Sequence, residues 1–137
     1  MAAGIVVGYD GSDCARAALK VGVEMAKAYG DGLIIAFGYE LNPVAGEMSD
    51  YRAALRDLAE KQLAHGIHQA QALGASVEAV VIEDVPARAL ATLAGERDAR
   101  AIVVGSRGES PLRGALLGST PHKLLQIADR PVVVVPV

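Results

Sequence analysis

The chain has no tryptophan, a single phenylalanine (Phe37), a single cysteine (Cys14) and no surplus of positive charge. A lone cysteine excludes an internal disulfide and gives no basis for a zinc site. A formal net charge of −3 argues against a nucleic-acid binder, which normally carries a basic face. No apolar run approaches the roughly 20 residues that span a bilayer, so no membrane segment is expected. The N-terminus lacks a charged region followed by an apolar core and a cleavage site; no signal peptide and a cytoplasmic location are expected. With aromatics this scarce, Val, Ile, Leu and Ala must fill the interior. The chain is 52% apolar and 21% charged over 137 residues, enough for one domain covering 1–137 with a proper core. No internal repeat, low-complexity segment or linker interrupts it.

Short apolar runs alternate with helical patterns. Gly4 to Tyr9 is apolar throughout, as in a strand buried on both faces. Asp10-Gly11-Ser12-Asp13 reads as a turn and a helix cap, followed by a helix from Cys14 to Tyr29. Gly30-Asp31-Gly32 stops that helix, and Leu33 to Tyr39 is a second strand. Glu40 to Ser49 is a polar loop. Ser49 or Asp50 is expected to cap a long helix from Tyr51 to about Leu73, with an apolar stripe through Ala54, Leu55, Leu58, Leu63, Ile67 and Ala70. A third strand over Ser76 to Ile82, a short helix opened by Pro86, a fourth strand over Ala101 to Val104, a helix from Pro121 to Ala128 and a valine-rich last strand complete the chain. Strand and helix repeat with no hairpin signal. That pattern predicts a doubly wound α/β domain: a parallel sheet with helices on both faces. Ligands on such sheets bind at the carboxyl ends of the strands.

The most informative stretch runs from Val103 to Thr120. Gly105, Gly108 and Gly118 follow the fourth strand as Gly, two residues, Gly, nine residues, Gly, with Ser119 next. Glycines after a strand permit positive φ and a concave array of N–H groups suited to phosphate. Gly118-Ser119-Thr120-Pro121 reads as a helix start, with hydroxyl caps and then proline in the first turn. A helix N-terminus adds unpaired N–H donors and positive dipole. The other reading is an ordinary glycine-rich connection from strand to helix.

This stretch resembles the nucleotide-binding signature of the universal stress protein family, in its ATP-binding branch. Ile5 to Ser12 resembles that family's first strand and acidic turn, and Arg130 to Pro136 its closing strand. The resemblance implies a five-stranded sheet in the order 3-2-1-4-5, with Asp10 and the glycine loop facing one crevice. It implies an adenine nucleotide as ligand: ATP, with Mg²⁺ shared among its phosphates. Asp10 is then placed at ribose or base, with the alternative that it only shapes the turn. Gly8 and Tyr9 contact the base through backbone, and Phe37 packs on the adenine or simply in the core. Val104, Gly105, Ser106, Arg107, Gly108, Gly118, Ser119 and Thr120 surround ribose and phosphates. Arg107 and Arg113 either neutralise phosphate charge or stay solvated.

Departures from the pattern are visible too. There is no Gly-Lys-Ser/Thr, so no Walker-type loop is present. Ala36-Phe37-Gly38 replaces the His-containing strand end common in the family. No general base is evident, which favours a regulatory binding module over turnover; a slow ATPase or phosphotransferase is the alternative in the same pocket. A phospho-switch using Asp10, Glu83-Asp84 and Ser106 is a third reading, and a dimer scaffold without nucleotide a fourth. His65, His68 and His122 read as solvated helix residues, and Cys14 as a small packing residue. The last strand, Pro131 to Val137, is an edge in the implied order and is expected to pair with a second copy as a homodimer.

Overall fold

The computed structural model describes residues 4–41, 48–107 and 117–136. Nine elements alternate along them: β1 (Gly4–Gly8), α1 (Asp13–Tyr29), β2 (Gly32–Tyr39), α2 (Met48–Ala72), β3 (Glu78–Glu83), α3 (Pro86–Glu96), β4 (Ala101–Gly105), α4 (Ser119–Ile127) and β5 (Val132–Val135). The strands form one parallel sheet in the order β3-β2-β1-β4-β5.

β1 lies at the centre because it is apolar on both sides. Ile5 and Val7 face a core shared with α1 and α2, and Val6 faces a second core shared with α3 and α4; all three are fully buried. Register places Ile5 opposite both Leu33 of β2 and Ala101 of β4. The two outer strands are shorter of cover. β3 exposes Glu78 and Glu83 at its ends, held by Arg97 just after α3 and Arg52 of α2. β5 is half-buried along its length.

Local signals fix three of the helix ends. The Ser12 Oγ accepts from the Ala15 N–H at 3.1 Å and opens α1, and Gly30 closes it in the left-handed conformation at φ 69°. Pro86 occupies the first turn of α3, where its missing N–H costs nothing.

Other ends differ from the sequence expectation. α2 begins at Met48, so Ser49 and Asp50 lie inside the helix instead of capping it. Its buried face is Ala59, Leu63, Gly66 and Ala70, whereas Leu58 is 47% exposed and Ala54 is exposed. The sheet decides this: α2 packs on it through its second half, and the first half runs past it. β3 starts at Glu78 rather than Ser76, because its pairing with β2 begins only at Ile34. β5 covers Val132–Val135 rather than Pro131 to Val137, since it pairs with Ile102 to Gly105 of β4 and no further; Val137 lies outside the described residues. α4 starts at Ser119, with Gly118 as its cap and no side-chain cap bond, so the Ser119 and Thr120 hydroxyls are not the caps.

Candidate functional site

The carboxyl ends of β1, β2 and β4 converge with the first turns of α3 and α4 around a cleft of about 240 Å³. β1 and β4 are adjacent, and the chain leaves them towards opposite faces of the sheet, into α1 and towards α4 respectively. A crevice at that point follows from the topology.

Asp10 lines the cleft just after β1 and is half-buried. Its Oδ1 accepts from the Ser12 N–H at 2.9 Å, so the carboxylate does shape the turn. Among the described residues its other oxygen has no hydrogen-bond partner. Turn-forming and ligand-facing roles are therefore compatible in one side chain. Tyr9 is 3% exposed, its ring packed in the core between β1 and α2. Burial pushes its phenol above the usual tyrosine value, with Arg16 opposing the shift. The Tyr9 N–H donates to the Ala36 carbonyl at 2.9 Å, so this amide is already paired. Phe37 both packs against the same core and lines the cleft; the two sequence readings of it coexist. Gly8 and Val104 also line it.

The glycines act by allowing close approach, not by unusual φ. Among the described glycines only Gly11, Gly30 and Gly74 have positive φ, and Gly118 sits at φ −64°, ψ 165°. The expectation of left-handed backbone is thus not met at Gly105 or Gly118. A Cβ on Gly105 would lie 2.5 Å from the Cys14 Cβ and 2.8 Å from its backbone C and O. That glycine lets the first turn of α1 dock on β4. A Cβ on Gly118 would lie 3.1 Å from both the Arg107 Cα and the Ser106 O. The Gly118 N–H donates to that Ser106 oxygen at 2.7 Å, and the Ser106 N–H donates to the Val135 carbonyl at 2.9 Å. Ser106 therefore ties the end of β5 to the start of α4 and does not line the cleft.

At the α4 end, Gly118, Ser119 and Thr120 line the cleft with the exposed Arg107. Helix geometry leaves the Ser119 and Thr120 amides without intrahelical acceptors. Together with the Ser119 hydroxyl and the Arg107 guanidinium they make a donor set suited to an anion. Gly108 and Arg113 lie outside the described residues. Asp10 and Arg107 are the charged side chains among the described lining residues.

Sequence reasoning missed Pro86 and Leu90 of α3, which form one wall, and Gly38, where β2 meets them. Gly38 carried a signal, since glycine within a strand marks close backbone approach: a Cβ there would lie 2.9 Å from the Pro86 Cα. The acidic pocket of the phospho-switch reading is not assembled. β3 is separated from β1 by β2, Glu83 pairs with Arg52 at 3.1 Å, and both Asp84 oxygens take Arg88 at 2.7–2.9 Å. Arg88 holds the Asp84 carboxyl below the usual aspartate range. His65, His68 and His122 are exposed, and no group of three metal-ligating side chains occurs among the described residues.

A family model described as the Universal stress protein family matches residues 1–136. A universal stress protein of Thermus aquaticus is 31% identical over 132 residues, covering 96% of each chain. A solved universal stress protein in complex with cAMP is 30% identical, with a TM-score of 0.73 over 98% of this chain and 97% of that one. A universal stress protein structure from Archaeoglobus fulgidus is 26% identical, with a TM-score of 0.80 over 98% of both chains.

Proposed function

The chain belongs to the universal stress protein family, and from that premise we propose that it binds ATP in the cleft between the Asp10 turn and the start of α4, as a regulatory module in the cytoplasm. One observation carries the reading: a carboxylate with an oxygen that has no partner among the described residues and the N-terminus of a helix open onto the same cleft. These are the two kinds of group that a nucleotide needs at its two ends. The solved relative in complex with cAMP, 30% identical to this chain, supports an adenine nucleotide as the ligand class.

In this reading Asp10 accepts from ribose or base hydroxyl and N–H groups, because a carboxylate beside a triphosphate would be repelled. Gly8, Tyr9 and Phe37 flank the nucleoside. Val104 and Gly105 form the floor at the end of β4. The Ser119 and Thr120 amides, the Ser119 hydroxyl and Arg107 face phosphate oxygens, and Gly118 keeps their approach open. Ser106 acts behind them through its backbone, and Gly108 and Arg113 belong to the same phosphate side by sequence. Mg²⁺, a hard cation usually held by phosphates and water with one or two carboxylates, would neutralise charge beyond what Arg107 supplies. Among the described lining residues Asp10 and Arg107 are the charged groups and none is an evident base for attack on phosphate, which favours occupancy over turnover.

The reading includes a homodimer through β5. Among the described residues that strand is an edge, its valines are half-buried, and one side of its backbone has no partner strand. Antiparallel pairing with a second copy across a two-fold axis would satisfy it.

Nucleotide released from the purified protein and identified by mass, followed by calorimetry with ATP and Mg²⁺, tests the assignment. Adenine nucleotide in the eluate or saturable ATP binding is expected. Protein that releases none and shows no saturable binding at millimolar ATP overturns it.

A further inference from the structure

The turn that carries Asp10 is supported from outside its own element. Gly11 sits at φ +85°, and a Cβ there would lie 2.6 Å from the Gln62 Cδ. The Gln62 side chain, from α2, fills the space that any other residue at position 11 would occupy. The Gly11 carbonyl accepts from Arg16 Nη1 at 2.5 Å. Arg16 in turn has its own carbonyl bound by Gln69 Nε2 at 3.0 Å. Gln62 and Gln69 are seven residues apart, hence on one face of α2, and together they straddle the first turn of α1. Leu63 and Gly66 between them, and Ala70 just beyond, are buried against the sheet, so α2 is anchored where the two glutamines reach out.

We infer that Gln62 is a positioning residue for the nucleoside end of the cleft: packed on Gly11, it holds the turn in its left-handed conformation and so aims Asp10. The inference rests on the ATP reading above and extends it to a residue outside the cleft lining. Asp10 is bonded to the Ser12 N–H, one residue beyond Gly11, so a shift of Gly11 carries the carboxylate with it. The first turn of α4 lies across the cleft on a separate support, the Ser106 carbonyl, and is untouched by Gln62.

Calorimetry with ATP, adenosine and inorganic tripolyphosphate on four proteins tests this: wild type, Gln62→Ala, Gln62→Asn and Gln62→Met. Shortening to Ala or Asn withdraws the side chain from Gly11, and affinity for ATP and adenosine should fall about three- to tenfold, a partial loss of the charged hydrogen bond that Asp10 makes. Tripolyphosphate, which engages only the α4 side, should bind all four equally. Methionine, unbranched and of equal length, should restore most of the lost affinity. A general loss of structure would weaken all three ligands together. Shortened variants that match wild type for adenosine, or that lose tripolyphosphate in step with it, overturn the inference while leaving ATP binding intact. Wild type that binds no ATP removes the nucleotide reading and this inference with it.

Discussion

Gly105→Ala isolates a role for a motif glycine that has nothing to do with phosphate. The added Cβ would meet the Cys14 Cβ at 2.5 Å and two Cys14 backbone atoms at 2.8 Å. Carbon pairs settle near 3.5–4.0 Å, so the first turn of α1 must retreat by about 1 Å or β4 must yield as much. Neither retreat is easy, because Val103 and Val104 beside Gly105 are buried and α1 is held at Ser12 by its cap. Overpacking of this kind costs about 1–3 kcal/mol. Alanine recovers part of it, about 0.5–1 kcal/mol, by restricting the unfolded chain. The net expectation is a loss centred on about 1 kcal/mol within a range of about 0–2.5 kcal/mol, or about 3–5 °C in Tm at the centre for a chain this size. Gly95→Ala is the control of opposite sign. Gly95 lies in α3, is exposed, and a Cβ there would have Arg130 Nη2 at 4.0 Å as its near neighbour. That change should stabilise by up to about 1 kcal/mol through helix propensity. Urea titration and thermal melts on nucleotide-free protein read both, since bound nucleotide would mask the difference by mass action. Gly105→Ala protein more stable than wild type would refute the close-approach argument.

Gly118→Val should abolish measurable ATP binding in calorimetry, because its side chain would meet the Arg107 and Ser106 backbone at 3.1 Å and crowd the anion side; unchanged affinity in folded protein counts against the loop. Asp10→Ala should weaken ATP and adenosine by a similar factor, on the order of 1.5–3 kcal/mol for a charged hydrogen bond, and a loss confined to ATP would move Asp10 to the phosphates. Hydrogen bonding to Arg97 holds the Glu78 carboxyl below its ordinary value of 4.5. The stability this pair contributes is therefore fully present above pH 4.5 and fades as pH falls through the lower folded value. Glu78→Gln should accordingly be slightly less stable than wild type at neutral pH, by a margin that solvent screening keeps small, and equal to it in strong acid; a difference that grows in acid contradicts the sign. Single cysteines between Val132 and Val135, in a Cys14→Ser background, should crosslink between copies at one or two positions if β5 pairs across a two-fold axis. Monomer mass by light scattering with no crosslinking position removes the dimer.

Much of this architecture was legible in local sequence. The strand-helix alternation, the apolar runs of β1, β2 and β4, a cap within Asp10 to Asp13, the Gly30 stop and the Pro86 start all depend on residues close together in the chain, and the structure has each of them, with Ser12 as the cap and α1 starting at Asp13 instead of Cys14. The strand order came with the family resemblance, since periodicity does not say which strands are neighbours. The glycine spacing was equally visible, and so was the Asp10 turn. What they do was not. Gly105 and Gly118 are required by atoms of Cys14, Ser106 and Arg107 that close on them only after the sheet forms. Ser106 reads as a phosphate contact in sequence, and the fold turns its backbone to β5 and α4 instead. Pro86 and Leu90 enter the cleft wall because α3 crosses back over β1 and β2. Glu83 and Asp84 end up away from Asp10 because β2 lies between β3 and β1, and there they pair with Arg52 and Arg88. On α2 the expected stripe is buried only in part: the position of the sheet chose Ala59, Leu63, Gly66 and Ala70 and left Ala54 and Leu58 exposed. Turns, caps and burial periodicity arise from interactions spanning a few residues, which a sequence displays directly. The cleft arises from contacts between segments tens of residues apart, and their placement is decided by packing the whole sheet at once.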